Sequence, residues 1–337
     1  MQYRAHRKMA RKARSTNLFI IIIPALSFIA VILYLARCNP SGAPCKGDTD
    51  QQSIDIFSRD SEKGEKKYKA SLLVFILSAP PLYTRREELR KNWLQKKTKD
   101  VQIRFVIGTA KISDAEIKQL KEEHSQYKDL LLLTTVEDAF KSLTRKVLEM
   151  MVWADNNVEF DYMLKVDDDS FVRLEALQRE LQSKRKERLY WGFFDGRAHV
   201  HRSGKYGEPD WVLCDRYIPY ALGGGYVLSS DLVHFVARNA PYLKLYHAED
   251  VSLGTWLAPV DLNREHDPRF DTEYKSRGCR NVYIISHKQS IESLQNKWQQ
   301  LESTGKMCAS EQQVRQSYVY NWNKLPTECC ERVQGVP

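Results

Sequence analysis

The chain has 337 residues, of which 42% are hydrophobic and 28% charged, a composition typical of a folded protein rather than a disordered one. Its length fits one membrane anchor and one domain of about 250–270 residues. The formal net charge is +9, but residues 1–37 hold seven basic and no acidic residues, so the remainder is nearly balanced at 45 basic and 43 acidic residues, which argues against nucleic-acid binding by the globular part.

An uncharged apolar run over residues 18–36 is long enough to cross a bilayer. A cleaved signal peptide is the alternative, but its apolar region is usually shorter and ends at a small-residue cleavage site, whereas Arg37 and Cys38 follow here. Basic residues precede the run, which places the N-terminus in the cytoplasm. We therefore expect a cytoplasmic tail over 1–17, a transmembrane signal anchor over 18–36, a stem over 37–67 and a luminal domain over 68–337.

The seven cysteines include no C-x-x-C pair, so a zinc ribbon or thioredoxin-type site is not indicated. Disulfides are expected in an oxidising lumen. Five cysteines lie in the second half of the chain, namely Cys214, Cys279, Cys308, Cys329 and Cys330. Because five is odd, at least one of them is free, pairs with Cys45, or joins another chain.

The residues after the stem alternate between short apolar runs and amphipathic segments, which predicts an α/β domain. Ser113 and Glu116 have the spacing of a capping box at a helix start. In chain order we predict a strand over 71–78, a helix over 84–96, a strand over 101–107, a helix over 113–126, a strand over 130–133, a helix over 138–155 and a strand over 162–166. This alternation favours parallel pairing, and such sheets bind ligands at the carboxyl ends of their strands.

Three consecutive aspartates, Asp167, Asp168 and Asp169, follow the last of these strands. Alternate residues at a strand end point the same way, so Asp167 and Asp169 are expected to face one site. Carboxylates this close repel one another unless a cation lies between them, and oxygen ligands favour Mg²⁺ or Mn²⁺. The plainer interpretation is a solvated acidic turn that caps a helix from Ser170.

A different enzyme class also fits the aspartates locally. In haloacid-dehalogenase-type phosphatases an aspartate after a strand is the nucleophile and a second one is a general acid. That class needs a later acidic element of a particular pattern, and none is evident in this chain.

Two later patterns are candidates for the same site. Glu249 and Asp250 begin an apolar segment, where they are either a helix N-terminus that favours negative charge or the source of a general base. Upstream, the glycines 223–225 lie between aromatic residues, which indicates a close backbone approach, as to a sugar, or a tight turn. His287 follows a strand pattern over 281–286 and is the best histidine candidate for a metal ligand.

Six motifs occur in order from about Ser71 to the C-terminus. They are Arg86-x-x-x-Arg90-x-x-Trp93, Phe105-Val106-Ile107-Gly108, Asp138-Ala139-Phe140 with Leu143-Thr144-x-Lys146, Lys165-x-Asp167-Asp168-Asp169-x-Phe171, the segment Tyr217 to Leu228, and Glu249-Asp250-Val251-x-x-Gly254. Each is a weak signal alone, but the ordered set is specific. It resembles the β-1,3-glycosyltransferases of the galactosyltransferase type, a family that includes the fringe enzymes.

Three further segments resemble one branch of that family, which extends the proteoglycan linkage region. They are the residues 189–194, the residues 266–274, and the C-terminal Ser317-Tyr318-Val319-Tyr320-x-Trp322 with Cys329-Cys330.

The resemblance implies a fold and a set of functional residues. The implied fold is a GT-A-type nucleotide-sugar transferase domain, an α/β domain with a mostly parallel central sheet. Asp167 and Asp169 would form the metal-binding Asp-x-Asp motif with His287 as a further ligand, and Asp250 would be the catalytic base. The implied nucleotide-sugar contacts are Ser78, Arg86, Asp138, Lys146 and Asp168, and the acceptor-side candidates are Trp191, Gly224, Gly225, Tyr226 and Glu249.

By the same resemblance we expect a type II Golgi membrane enzyme that uses UDP-galactose with Mn²⁺ or another divalent cation. The expected acceptor is Galβ1-4Xyl on a proteoglycan core protein, which inverting transfer to the 3-hydroxyl extends toward the glycosaminoglycan linkage tetrasaccharide. Complexes with other linkage-region glycosyltransferases fit this role, and nucleic acid does not. A sister β-1,3-glycosyltransferase of N-acetylglucosamine or N-acetyllactosamine type stays open, as does a non-enzymatic Golgi glycan-binding module.

Overall fold

The computed structural model describes residues 68–337. The expected cytoplasmic tail, transmembrane anchor and stem lie outside the described residues, as do Cys38 and Cys45. No helix within 68–337 is both long and apolar enough to cross a membrane.

The described residues form twelve strands and seven α-helices. The strands are β1 (Tyr68–Leu77), β2 (Val101–Gly108), β3 (Leu130–Leu133), β4 (Val158–Asp167), β5 (Phe171–Val172), β6 (Leu189–Asp195), β7 (Tyr220–Ser229), β8 (Asn263–His266), β9 (Phe270–Asp271), β10 (Gly278–Cys279), β11 (Ile285–Ser286) and β12 (Gln312–Gln313). The helices are α1 (Tyr83–Lys91), α2 (Asp114–Tyr127), α3 (Leu143–Asn157), α4 (Leu174–Leu181), α5 (Ser230–Asn239), α6 (Glu249–Trp256) and α7 (Ile291–Thr304).

Seven strands form the central sheet in the order β3-β2-β1-β4-β7-β6-β8. The strands β3, β2, β1 and β4 are parallel, β7 is antiparallel to β4 and β6, and β8 is parallel to β6. In β1 all residues from Leu72 to Leu77 are at most 6% exposed, as expected of a parallel strand covered on both faces. The predicted α/β class with a mostly parallel sheet is confirmed.

The sequence placed most of the early elements correctly. The strands predicted over 71–78, 101–107, 130–133 and 162–166 correspond to β1 to β4, although β4 begins earlier, at Val158. The capping box is confirmed, because Ser113 accepts from the backbone of Glu116 and the Glu116 side chain accepts from the backbone of Ser113.

Two predicted helices are shorter than expected. The helix over 84–96 ends at Lys91, because Asn92 leaves helical geometry and caps a separate 3₁₀ turn over Trp93–Lys96. The helix over 138–155 begins only at Leu143. Asp138 instead accepts hydrogen bonds from the backbone of Gly108 and from Lys146.

A small three-stranded sheet carries the chain from the aspartates to His287. Its order is β5-β11-β9, and Ser286 pairs with Phe171 on one side and with Asp271 on the other. The plainer interpretation, in which the aspartates cap a helix from Ser170, is therefore wrong on the helix, because the residues after the aspartates form β5 and helix α4 starts at Leu174. The strand expected over 281–286 contracts to β11.

The described cysteines form two disulfides. Cys279 pairs with Cys308, and the adjacent residues Cys329 and Cys330 pair with each other. Cys214 is free and exposed. Of the five late cysteines, Cys214 is thus the one without a partner among residues 68–337, and its pairing with Cys45 or with another chain is not tested.

Candidate metal and catalytic site

Asp167, Asp169 and His287 converge at the carboxyl end of β4. One potential ligand atom from each side chain lies within 4.8 Å of the others. Backbone contacts fix the approach of the two segments, since His287 N donates to Asp271 O at 2.9 Å and Gln289 N donates to Asp169 O at 2.8 Å. The expected convergence of these three residues is thus present in the described structure.

The donor atoms of this cluster suit a divalent cation. His287 Nε2 lies 2.8 Å from Asp169 Oδ1 and 3.2 Å from Asp167 Oδ2, yet His287 Nε2 and Asp169 Oδ1 are both buried without a hydrogen bond of acceptable geometry. Buried polar atoms rarely stay unsatisfied, and a cation between them would satisfy both. One imidazole nitrogen with carboxylate oxygens is a donor set that suits a divalent cation.

The charges of the cluster reinforce one another. Burial lowers the pKa of His287, but the two carboxylates outweigh this and raise its pKa to about 9. Burial raises the pKa of Asp167, but Lys165 and His287 outweigh it and hold that pKa well below its ordinary value. The carboxylate of Asp167 is therefore ionised, as a metal ligand must be, whereas His287 must release its ring proton when a cation replaces it between the two carboxylates.

Gly224 lies directly against the imidazole of His287. A Cβ atom at this position would be 2.3 Å from His287 Nδ1. The backbone of the glycine run does approach another group closely, and at Gly224 that group is the imidazole of His287. Gly224 thus admits His287 to the cluster, and its contact with an acceptor stays a prediction.

Lys165 joins the metal cluster to helix α6. Its ammonium donates to Asp167 Oδ1 at 3.0 Å, to the carbonyl oxygen of Gly223 and to Glu249 Oε1. Burial lowers the pKa of Lys165, but Asp167 and Glu249 outweigh it and the pKa is raised, so the side chain is cationic. The resemblance included Lys165 without assigning it a role.

Asp250 lies in the first turn of helix α6, beside the glycine run of β7. Its Oδ2 accepts from Gly223 N at 2.9 Å and its Oδ1 from Val251 N at 2.9 Å. Burial raises the pKa of Asp250, although these two backbone donors oppose the rise. A raised pKa makes the carboxylate a stronger base, and each oxygen keeps a lone pair for a substrate proton.

Glu249 is the rival candidate for the base. Burial raises its pKa to about 7, closer to neutrality than an ordinary glutamate. Its side chain is only 4% exposed, however, and its oxygens are taken by Lys165 and by Tyr226 Oη at 3.1 Å. Access favours Asp250, which is partly exposed, since a base must reach the proton it removes. Asp250 therefore fits the role, and Glu249 is a buried support rather than an acceptor contact.

Asp168 faces the opposite side from its two neighbours. Its Oδ1 lies 3.9 Å from Arg85 Nε, and its buried Oδ2 has no hydrogen-bond partner in the described structure. Burial raises the pKa of Asp168 to about 6. Arg85 also donates to the carbonyl of Gln289 at 3.0 Å, which ties α1 to the loop after His287. Arg85 was not predicted from the sequence, because nothing in its local pattern distinguishes it from Arg86.

Arg86 does not offer a free guanidinium for a diphosphate. It is fully buried, and it forms a bidentate pair with Glu123 at 2.8 and 2.6 Å. Its remaining donors go to Ser78 Oγ and to the carbonyls of Ala79 and Pro80. The structure thus supports a role for Arg86 in fixing the loop after β1, and not the diphosphate contact proposed from the resemblance. Ser78, in that loop, is 4% exposed.

Asp138 and Lys146 form a pair at the carboxyl ends of β1 and β2. Lys146 Nζ donates to Asp138 Oδ2 at 2.8 Å and to the carbonyl of Ser78, and Gly108 N donates to the same Asp138 oxygen at 2.9 Å. Burial lowers the pKa of Lys146. The pair lies on the parallel half of the sheet, where a nucleotide contact stays a prediction.

Three acceptor-side candidates are core residues. Trp191 is 0% exposed and donates its indole N–H to Asp267 at 3.0 Å, while the ring of Tyr226 is 0% exposed and bonded to Glu249. A Cβ atom at Gly225 would meet Ile285 at 2.8 Å. Buried side chains at these positions favour a packing role over a direct acceptor contact. Their aromatic and glycine character reflects packing, which local sequence does not distinguish from ligand binding.

Glu208 is a further residue that the sequence did not reveal. Only 2% exposed, it accepts from the backbone nitrogens of His247 at 2.9 Å and Ala248 at 2.8 Å, just before helix α6. That helix has no side-chain cap from its own N-cap residue. Glu208 therefore ties the loop between β6 and β7 to the helix that carries Asp250, across about forty residues of sequence.

Comparisons with known proteins found similar glycosyltransferases. A family model described as galactosyltransferase matches residues 84–268. The mouse (Mus musculus) protein beta-1,3-galactosyltransferase 6 is 48% identical over 313 residues, covering 91% of this chain and 92% of its own length. UDP-GalNAc:beta-1,3-N-acetylgalactosaminyltransferase 2 of Xenopus laevis is 34% identical, with 57% of this chain and 39% of that protein covered.

Likeness to solved structures is weaker. The bifunctional glycosyltransferase WbbM matches with a TM-score of 0.37 and 14% identity, covering 60% of this chain and 40% of that one. The mannosyltransferase from Pyrobaculum calidifontis in complex with GDP-Man and Mn²⁺ matches with a TM-score of 0.34 and 8% identity, covering 59% and 55% of the two chains.

Proposed function

This chain belongs to the galactosyltransferase family, and from that premise we propose that it transfers galactose from UDP-galactose to the 3-hydroxyl of galactose in Galβ1-4Xyl on a proteoglycan core protein. The observation that carries the proposal is the placement of two functions at one sheet edge. A cluster suited to a cation lies at the end of β4, and a separate carboxylate, Asp250, is held beside it through Gly223. Likeness to the mouse β-1,3-galactosyltransferase supports the choice of donor and linkage.

The proposal divides the sheet edge between two substrates. The parallel half, β3-β2-β1-β4, offers its carboxyl ends to the nucleotide, in the manner of α/β nucleotide sites and of a GT-A-type domain. Asp138, Lys146, Asp168 and Arg85 lie on that half. The acceptor then approaches from the β7-β6 half, where Asp250 lies against the start of β7.

Asp250 acts as the base in a single displacement. Its carboxylate accepts the proton of the acceptor 3-hydroxyl while that oxygen bonds to the anomeric carbon of galactose. The bond from that carbon to the diphosphate oxygen breaks, and its electron pair leaves with UDP. One displacement converts the α-linked donor into a β-linked product, so no enzyme nucleophile is required.

Asp167, Asp169 and His287 are the residues that would hold Mn²⁺ or another divalent cation. Such a cation, when bound, supplies positive charge next to the leaving diphosphate. The surrounding residues keep the ligands in place, since Lys165 orients Asp167 and Gly224 leaves room for the imidazole.

We also propose that the protein is a type II Golgi membrane protein with its catalytic domain in the lumen, and that it works beside other linkage-region glycosyltransferases. The uncharged run over 18–36 behind a basic tail supports this orientation. Protease protection in sealed microsomes tests it. Digestion of the C-terminal domain without detergent would contradict a luminal location.

The proposed reaction has a direct test. The full chain is incubated with Mn²⁺, UDP-galactose and a Galβ1-4Xyl glycoside, and the product is analysed for mass and linkage. The expected product contains Galβ1-3Gal and is absent after EDTA treatment. Transfer from another nucleotide sugar, or only to another acceptor, would instead assign the chain to a sister β-1,3-glycosyltransferase. Hydrolysis of phosphomonoesters without sugar transfer would revive the phosphatase alternative, against which the family membership argues.

A further inference from the structure

The C-terminal segment over 317–322 presents an aromatic surface that the proposed chemistry does not use. Trp322 is 42% exposed, whereas the other six tryptophans of the chain are buried or only partly exposed. Its ring stacks on Tyr320 with centroids 3.8 Å apart and an interplanar angle of 23°. We define the exposed Trp322 ring and its Tyr320 support as the aromatic platform.

The aromatic platform is rigidly attached to the end of β6. Tyr318 Oη donates to the carbonyl of Phe194 at 2.9 Å, and the Phe194 ring meets Trp322 edge-to-face at 5.3 Å. Tyr320 lies against Gly196, where an added Cβ would be 2.2 Å from the Tyr320 hydroxyl. Asn321 N donates to Cys329 O at 2.8 Å, so the next stretch of chain also restrains the platform. Preorganised aromatic rings of this kind lose little conformational entropy when a ligand binds.

The platform lies at the sheet edge that carries the active-site carboxylates. Asp195 at the end of β6 pairs with Tyr220 at the start of β7, and Gly223, three residues along β7, donates to Asp250. Three residues of a strand span roughly 10 Å. Aromatic side chains fill this distance. The ring centroids of Phe194 and Tyr190 are 4.7 Å apart, and the Tyr190 hydroxyl accepts from Ala221 N at 3.0 Å.

The distance of roughly 10 Å between the end of β6 and Gly223 determines which sugar of an acceptor can contact the platform. A pyranose whose 3-hydroxyl is held at Asp250 does not reach the end of β6, but the sugar linked to it does. The C–H face of a pyranose packs well on an exposed aromatic ring. Asp195 adds a polar group beside the ring, since only its Oδ1 has a hydrogen bond among the described residues, from Arg197 N at 2.7 Å.

We propose that Trp322, supported by Tyr320, is a subsite for the second sugar of the acceptor, the xylose of Galβ1-4Xyl in the proposed reaction. This inference rests on the proposed function for the identity of the sugar. The subsite selects a disaccharide acceptor over a single galactose, whereas Asp250 and the metal cluster act on either.

The rival explanation is that Trp322 only covers the apolar edge of Phe194. Trp322→Leu separates the two, because leucine keeps apolar cover but removes the flat ring. The matched control is Trp298→Leu, since Trp298 is a partly buried tryptophan on helix α7 with Lys96 over its ring at 5.5 Å, away from the β6 end. Trp322→Tyr retains a ring and serves as the conservative variant.

The experiment uses the full chain with UDP-galactose and two acceptors, a Galβ1-4Xyl glycoside and a β-galactoside with the same aglycone. We expect Trp322→Leu to lower kcat/KM for the disaccharide by roughly 2–10-fold, through a higher KM, and to leave the galactoside and the donor KM unchanged. Trp322→Tyr and Trp298→Leu should stay close to the native chain. Equal losses for both acceptors, or no loss for either, would overturn the subsite.

A binding measurement keeps this test independent of the reaction. Binding of the Galβ1-4Xyl glycoside without donor is followed by saturation-transfer NMR on the native chain and on Trp322→Leu. If the native chain makes no galactosylated product, the proposed function fails. Glycoside binding that Trp322→Leu weakens would still support the subsite, and absence of binding to the native chain would refute it. Thermal melting of each variant identifies any loss that comes from unfolding. If Trp322→Leu is unfolded, the native chain decides, because binding of the Galβ1-4Xyl glycoside that is no stronger than binding of the β-galactoside would refute the subsite.

Discussion

Lys165 and Glu249, 84 residues apart in sequence, form a buried ion pair that joins the strand of the metal cluster to the helix of the base. Their side chains are 1% and 4% exposed. Removing two charges from water is costly, and such pairs add little net stability compared with apolar residues. Because Lys165 also contacts Asp167 and the carbonyl of Gly223, the pair acts as a positioning element for the two halves of the site.

Replacing Lys165 by Met should separate stability from positioning. The single change leaves Glu249 buried without its cation and should lower the free energy of unfolding by about 3–5 kcal/mol. The double change Lys165→Met with Glu249→Gln removes the unpaired charge and should recover most of that stability, but not the activity. Urea denaturation measures the stability, and steady-state kinetics the activity, of the native chain, the single variant and the double variant. A double variant with near-native kcat would show that the pair has only a structural role.

If Asp250 is the base, substitutions of Asp250 and of its neighbour Glu249 should have different effects on turnover. Asp250→Asn keeps the hydrogen bond from Gly223 but removes the proton acceptor, so kcat should fall by roughly 10²–10⁴-fold while UDP binding is retained. Glu249→Gln should reduce kcat less and lower the melting temperature, since it weakens the contact with Lys165. Single-turnover kinetics and calorimetric measurement of UDP binding on the two variants test this difference. A larger loss of turnover in Glu249→Gln than in Asp250→Asn would exchange the two roles.

Gly224→Ala should disturb the metal cluster without removing a ligand. The new methyl group would overlap His287 Nδ1, which lies 2.3 Å from the Cβ position, and so displace the imidazole. We expect Mn²⁺-dependent UDP binding to weaken at least 10-fold, in the direction of Asp169→Ala, in which binding should be lost. Titration of UDP with and without Mn²⁺ measures this.

Gly207→Ala provides the control for Gly224→Ala. That position is also crowded, with an added Cβ 2.9 Å from Ser203, but it lies in the loop between β6 and β7 and not at the cluster. If both alanine variants weaken Mn²⁺-dependent UDP binding equally, the contact with His287 does not explain the effect.

The sequence revealed the metal cluster because its chemistry is local. Asp167 and Asp169 are two residues apart at the end of an apolar strand, and a strand directs alternate side chains the same way. The parallel half of the sheet was equally predictable, since strands buried on both faces form continuous apolar runs such as 72–77. His287 reaches the cluster through the short strand β11. Its place after a strand pattern made it the best histidine candidate, but only the family resemblance joined it to the two aspartates.

The roles of Arg86, Trp191 and Tyr226 were not predictable, because each depends on partners remote in sequence. Arg86 meets Glu123, 37 residues away, and Trp191 meets Asp267, 76 residues away. A charged or aromatic residue in a motif appears the same in sequence whether it faces a ligand or the core. Nothing in the sequence marked Glu208, because its carboxylate oxygens accept from backbone N–H groups, which nearly every residue has.

His266 is a neutral histidine fixed from both sides of its ring. Its Nδ1 accepts from Phe194 N at 3.0 Å, so Nε2 carries the proton and donates to the carbonyl of Tyr318 at 2.9 Å. The ring also stacks on Tyr318 at 5.1 Å. A second proton on Nδ1 would face the N–H of Phe194. Burial, the largest cause, lowers the pKa of His266 to about 4.

This arrangement predicts that the folded domain loses stability in mild acid. Above pH 6.5 His266 is neutral in the folded and the unfolded chain; as the pH falls from 6.5 toward 4 only the unfolded chain takes up the proton, so the free energy of unfolding decreases by about 2–3 kcal/mol. His266→Gln should reduce this loss, whereas His201→Gln, at an exposed histidine, should not. Urea denaturation at pH steps from 7 to 4 measures the slope. An unchanged slope in His266→Gln would mean that other groups cause the acid sensitivity, and that the contacts of His266 with Phe194 and Tyr318 do not hold its ring neutral.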